Sequence, residues 1–108
     1  MKFMDVQRIK QLEMLFGNEK QFFVDGYYRI RSLDDKQKEI AYLMPDACGA
    51  SVVHPQITIE EVDGSFIPVK LIDMATSPTQ LVYRKEEDVV FLEDKLEELV
   101  TRFEQINQ

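Results

Sequence analysis

The chain contains no tryptophan, one cysteine, one histidine and four glycines in 108 residues. Each scarcity removes a class of chemistry. A single cysteine, Cys48, cannot close an internal disulfide, which excludes a disulfide-stapled fold and fits a reducing compartment. One histidine and one cysteine cannot supply the closely spaced ligand pairs of a structural zinc site, so no metal ligand is assigned. The glycines stand apart, at Gly17, Gly26, Gly49 and Gly64, so there is no glycine-rich phosphate loop and no cofactor is expected. Apolar runs are only a few residues long, far short of the ~20 that a membrane-spanning helix needs. The first residues reach Asp5 without an apolar block, so no signal peptide is read and the cytoplasm is the expected location.

Basic charge is scarce too, and unevenly so. The net charge is −7. Residues 1–56 hold eight basic and eight acidic side chains, whereas residues 57–108 hold five and twelve and carry the whole excess. Phosphate contacts require Lys and Arg, so direct nucleic-acid binding is not expected. Tyr27, Tyr28, Arg29 and Arg31 form the most basic and aromatic stretch. It reads as an ordinary sheet face rather than a base-stacking platform, because the net charge opposes nucleic acid. An acidic half attracts a basic partner, and it also keeps a protein soluble.

What is present suffices for one core. Apolar residues make up 44% of the chain, with seven Phe and four Tyr. Length and the lack of a linker predict a single domain over 1–108. Phe3, Val6, Ile9, Leu12 and Phe16 share one helical face, with Leu15 widening it. They predict a helix over 3–16, stopped by Gly17-Asn18.

The middle of the chain reads as short strands. Gln21–Val24 and Tyr27–Leu33 flank Asp25-Gly26, a two-residue turn suited to positive φ. Phe23, Tyr27 and Ile30 also have helical spacing, but Gly26 inside a helix costs ~1 kcal/mol against Ala. Residues 34–44 admit either a helix capped near Asp34 or a returning strand over Lys38–Met44, and the strand is preferred. Pro45–Ser51 reads as a loop, and Val52-Val53 as a short strand before Pro55. Gln56–Val62 and Ser65–Ile72 flank a second Asp-Gly at Asp63-Gly64. Pro68 cannot donate to a ladder, so its strand is expected at an edge or at a bulge. Leu81–Arg84 is a last short strand, and Glu86-Glu87-Asp88 leads into a final helix. The expected class is α+β: an antiparallel sheet of five or six short strands, with an N-terminal helix and a long C-terminal helix packed on it. Small dimeric secretion chaperones and profilin-like modules are similar in layout, although no motif here belongs to either.

The C-terminal helix is the most telling segment. Val89, Leu92, Leu96, Leu99, Phe103 and Ile106 recur in steps of 3 and 4, one stripe along one side. Leu92, Leu96, Leu99 and Phe103 have the spacing of a seam between two chains, which would make a homodimer. Val100 widens the stripe, which favours packing within the chain. The opposite flank is acidic, with Glu93, Asp94, Glu97 and Glu98. Glu93/Glu97 and Asp94/Glu98 are like-charge pairs one turn apart, each costing the helix about 0.2–0.5 kcal/mol. Such a flank either serves a partner or keeps the protein soluble.

Catalytic candidates are few. Cys48 and His54 lie six residues apart, a potential thiolate and its base, with Asp46 to orient the ring and Gly49 to lend a backbone N–H. No local signature surrounds them. The leading expectation is therefore a non-enzymatic acidic protein that binds the basic surface of another protein. Glu93, Asp94, Glu97 and Glu98 would attract that surface, and Tyr27 and Tyr28 would add contact area. A regulator, an inhibitor or a chaperone-like adaptor has this character. The alternatives are a homo-oligomer assembled through the last helix or a strand edge, and an enzyme dependent on Cys48.

Overall fold

The computed structural model describes residues 4–17 and 21–106. Phe3 and Asn18, which the N-terminal helix reading includes, lie outside them. The fold is α+β, with a curled antiparallel sheet, one short helix and one long helix. The strands are β1 (Met4–Asp5), β2 (Gln21–Phe23), β3 (Gly26–Ser32), β4 (Gln37–Pro45), β5 (Ser51–Val62), β6 (Ser65–Asp73) and β7 (Gln80–Tyr83). The helices are α1 (Val6–Glu13) and α2 (Val89–Ile106), the latter preceded by a 3-10 turn over Glu86–Asp88.

Strands β2 to β6 form a meander, each paired with the next, and β6 carries both β1 and β7 on its far side. β1 takes Phe66 and Ser65, and β7 takes Lys70–Asp73. The sheet thus has seven strands where the sequence predicts five or six. The addition is the two-residue β1, which is too short for any periodicity, while the predicted Val52-Val53 and Gln56–Val62 join in the single strand β5. Asp5 ends β1 and caps α1, its Oδ1 accepting the Gln7 N–H at 2.8 Å. α1 is shorter than predicted, because the backbone tightens into turns after Glu13, with the Leu15 and Phe16 N–H groups both reaching the Leu12 carbonyl. Leu15 therefore points half outward instead of widening the apolar face.

The two Val-Asp-Gly segments turn differently. Asp63-Gly64 is the expected two-residue turn, with φ of 51° and 78° between paired Val62 and Ser65. In the first hairpin Phe23 pairs with Gly26, so the turn residues are Val24 and Asp25, and Val24 takes φ of 41°. Gly26 is needed for close approach instead. A Cβ there would stand 2.5 Å from Tyr42 Cε1 and 2.8 Å from the Leu43 carbonyl oxygen.

Residues 34–44 resolve as a turn and a strand. Asp34 Oδ1 accepts the Lys36 and Gln37 N–H groups, which starts β4. Pro55 does not divide β5. Pairing jumps from Ala41↔Gln56 to Leu43↔Val53, so His54 and Pro55 together oppose Tyr42 in a bulge, and the His54–Pro55 peptide is cis. Pro68 lies at the expected second bulge, where Thr58↔Lys70 gives way to Ile59↔Pro68.

The core fills one face of the sheet. Tyr28, Ile30, Ile40, Tyr42, Ile57, Ile59, Phe66 and Leu71 alternate inward along their strands. Val6, Ile9, Leu12 and Phe16 come down from α1, and Leu92, Leu96, Leu99, Val100 and Phe103 from α2. Phe103 sits 4.9 Å, centroid to centroid, from both Phe16 and Tyr28, joining the two helices to β3.

Candidate functional site

The long helix divides its carboxylates between inside and outside. Its apolar stripe is buried within the same chain: Leu92, Leu96, Leu99 and Phe103 all lie in the core. Their use as a seam between two chains is thereby corrected, since the sheet and α1 already cover them. Tyr28 is also corrected as a contact residue. Alternation along β3 turns it into the core, where it is fully buried.

Glu97 and Glu104 lie beside α1. Arg8 reaches across and donates Nη1 and Nη2 to the two oxygens of Glu97 at 2.9 and 2.8 Å. It also donates Nη2 and Nε to Glu104 at 2.8 and 3.2 Å. The hydrogen bonds to the two carboxylates push the Arg8 pKa still further up. Glu97 Oε2 accepts the Thr101 hydroxyl as well, at 2.9 Å. Glu93 is only 6% exposed and lies 3.8 Å from Arg84 of the segment after β7. Glu93 is therefore buried within the molecule and is corrected as a docking residue, while Glu97 is shared with Arg8 and keeps 41% of its side chain exposed.

Asp94 and Glu98 point outward. Glu98 keeps 68% of its side chain exposed, with Lys95 at 3.8 Å. Glu86 and Glu87 of the 3-10 turn are exposed as well. So is Val90, at 69%, the most exposed apolar residue of α2. The acidic turn before the helix was readable as a dipole partner, but its place beside an exposed valine needs the tertiary structure.

The basic stretch of β3 is turned onto its own sheet. Arg29 donates to Gln56 at 2.9 Å, and Arg31 pairs with Glu39 at 2.8 Å. Burial, with the Arg31 charge beside it, pushes the Arg29 pKa down. Tyr27 is half-buried on the same face, edge-on to Phe22 at 5.3 Å.

Cys48, His54 and Asp46 are not brought together as a catalytic unit. Asp46 shapes the β4–β5 turn, its Oδ1 accepting the Cys48 N–H at 3.2 Å, and Cys48 is an exposed free thiol. His54 turns instead to Asp73 of β6, with Nδ1 at 2.8 and 2.9 Å from the two carboxylate oxygens. The sequence gives no sign of this pair, because the bulge that aims His54 arises only when β4 and β5 align. His54 and Asp73 open into a recess of about 130 Å³ between the sheet and α2.

A third cluster ties the first hairpin to α2. Tyr28 donates its hydroxyl to Asp25 Oδ1 at 3.0 Å, and the Tyr42 hydroxyl donates to the Asp25 carbonyl at 3.1 Å. Arg102 donates Nε to the Tyr28 oxygen and Nη2 to Asp25, and lies 3.9 Å over the Tyr42 ring. Among the described residues, no three His, Cys, Asp or Glu side chains converge as metal ligands. No described helix is long and apolar enough to cross a membrane. No family model, curated protein or solved structure matches this chain.

Proposed function

We propose that this chain is a small acidic protein that acts by binding the basic surface of another protein. Its docking surface in this reading is the outer flank of α2 and the turn before it: Glu86, Glu87, Asp94 and Glu98 around Val90. The observation that supports it is the exposure of these carboxylates beside an exposed apolar side chain, while Glu97 and Glu104 are drawn onto Arg8. Exposed charges steer a partner, and a central apolar contact holds it. A regulator, an inhibitor or a chaperone-like adaptor remains the class.

The test is affinity capture at low and high salt, with the wild-type chain and a variant carrying Lys at Glu86, Glu87, Asp94 and Glu98. Capture that weakens with salt and is lost in the variant supports the reading. A partner held equally by both proteins at both salt concentrations defeats it.

A second reading rests on the opposite edge of the sheet. β2 is a three-residue edge strand with Phe22 57% and Val24 85% exposed. A homo-oligomer joined there covers both side chains. Light scattering at high protein concentration separates the two readings, since a clean monomer removes the second.

A further inference from the structure

The recess beside His54 contains a set of hydrogen-bonding groups that the fold does not itself use. The bulge in β5 sets the His54 ring on the helix side of the sheet, 6.5 Å from the Tyr42 ring. Asp73 is nearly buried, and its Oδ1 also accepts the Ala75 N–H at 3.0 Å. An ionised carboxylate only accepts, so the His54 Nδ1 carries the proton in that pair. The neutral ring then presents a lone pair at Nε2. Among the described residues Nε2 has no hydrogen-bond partner, and the side chain is 41% exposed.

Cations stand on the α2 side of the same recess. Lys95 and Arg102 both line it, seven residues apart on the helix. Arg102 uses Nε on Tyr28 and Nη2 on Asp25, which leaves Nη1 for another acceptor. Lys95 lies 5.8 Å from the Phe91 ring centroid and 3.8 Å from Glu98, the latter beyond hydrogen-bonding distance. The oxygens of Asp73 are already taken by His54 and Ala75. The recess is thus lined by two cations and an imidazole lone pair, together with the Gln80 amide and the Glu98 carboxylate. The recess measures about 130 Å³, room for several water molecules. That is far below the ~300 Å³ at which pockets for drug-sized ligands begin.

We propose that this recess binds a small oxyanion that still carries a proton, of the monohydrogen phosphate type. Lys95 and Arg102 hold its anionic oxygens, and the His54 Nε2 accepts its O–H. Asp73 fixes the tautomer and orientation of the ring. Sulfate has nearly the same shape and charge but no proton to donate. The site therefore discriminates between the two anions while the ring is neutral. This binding does not depend on the protein-docking reading, since no protein partner takes part in it.

The experiment is an NMR titration of the full chain with inorganic phosphate at about pH 8, where the His54 ring nitrogens and the Lys95 side chain are followed. Saturable shifts confined to the recess are expected, with sulfate at least about tenfold weaker, a difference of ~1.4 kcal/mol. Lys95→Met, which keeps an unbranched apolar stem beside Phe91, weakens phosphate about tenfold. Glu98→Gln removes a repelling charge and strengthens binding about twofold to fivefold. The opposite signs of these two exposed substitutions are not expected of residues that serve only the fold. Linear drift matched by sodium chloride overturns the proposal, as do equal affinities for sulfate and phosphate or an unaffected Lys95→Met protein.

Discussion

Arg8 of α1 grips Glu97 of α2 through two parallel N–H···O bonds of 2.9 and 2.8 Å, and the same guanidinium also holds Glu104. One cation from the charge-balanced half of the sequence is thus shared by two anions of the acidic half. The fork also clamps the short helix against the long one. Replacing Arg8 by Met leaves Glu97 and Glu104, two turns apart on α2, without their shared cation. Both carboxylates are more than a third exposed, so water offsets part of the loss, and the expected destabilisation is about 1 kcal/mol. Arg8→Lys should recover little of it, because one ammonium cannot form both forks. Urea denaturation at two salt concentrations checks this, and the difference between variants should shrink as salt rises.

The two Val-Asp-Gly turns respond differently to substitution. Val24 holds φ of 41°, a conformation that strains a β-branched residue, so Val24→Asn should stabilise the protein by about 1 kcal/mol. Gly64→Ala should cost about 1 kcal/mol through backbone strain alone, since nothing lies near an added methyl. Gly26→Ala should cost at least about 1–3 kcal/mol, because its methyl collides with the Tyr42 ring and the Leu43 carbonyl. Thermal unfolding of the three variants distinguishes strain from collision. Equal losses at Gly26 and Gly64 would contradict the register of the first hairpin.

The buried stripe of α2 carries its own prediction. Phe103→Ala removes a ring that touches Phe16 and Tyr28 in the core. It should cost about 3–5 kcal/mol, with Leu96→Ala at about 2–5 kcal/mol. These losses should not depend on protein concentration, since the stripe packs within one chain. A concentration-dependent midpoint would return the seam between chains.

Tyr28 sets an alkaline limit. Burial pushes its phenol pKa up; the Arg102 hydrogen bond opposes the shift and the Asp25 hydrogen bond adds to it. A folded-state pKa above the unfolded value of ~10 means that the unfolded chain releases this proton first. The contribution of Tyr28 is therefore complete below about pH 10 and is lost as pH rises through the raised value. Tyr28→Phe should cost about 1 kcal/mol near neutral pH, from its hydrogen bonds to Asp25 and Arg102. It should also flatten the decline above about pH 10, as read by urea midpoints across the alkaline range.

Much of the architecture is legible from side-chain periodicity. Steps of 3 and 4 from Val89 to Ile106 specify an amphipathic helix, since only a helix gathers those positions on one side. Alternation over Ile57, Ile59 and their neighbours marks strands. Asp63-Gly64 marks a turn because both residues tolerate positive φ. Val24-Asp25-Gly26 misleads for the same reason: its composition suits a turn one residue later than the one formed. The collision waiting at Gly26 depends on Tyr42, a residue from the next strand.

Sequence alone determined the α+β class, the apolar stripe of α2 and the charge imbalance between halves, because each is a property of local spacing or composition. Only the tertiary structure decided which acids face water. Arg8 and Glu97 are 89 residues apart in the chain, and no local rule links them. The meeting of His54 with Asp73 follows from a bulge that exists only once β4, β5 and β6 align. Side-chain partners across a sheet are set by register, and register is a relation between strands that no single segment contains.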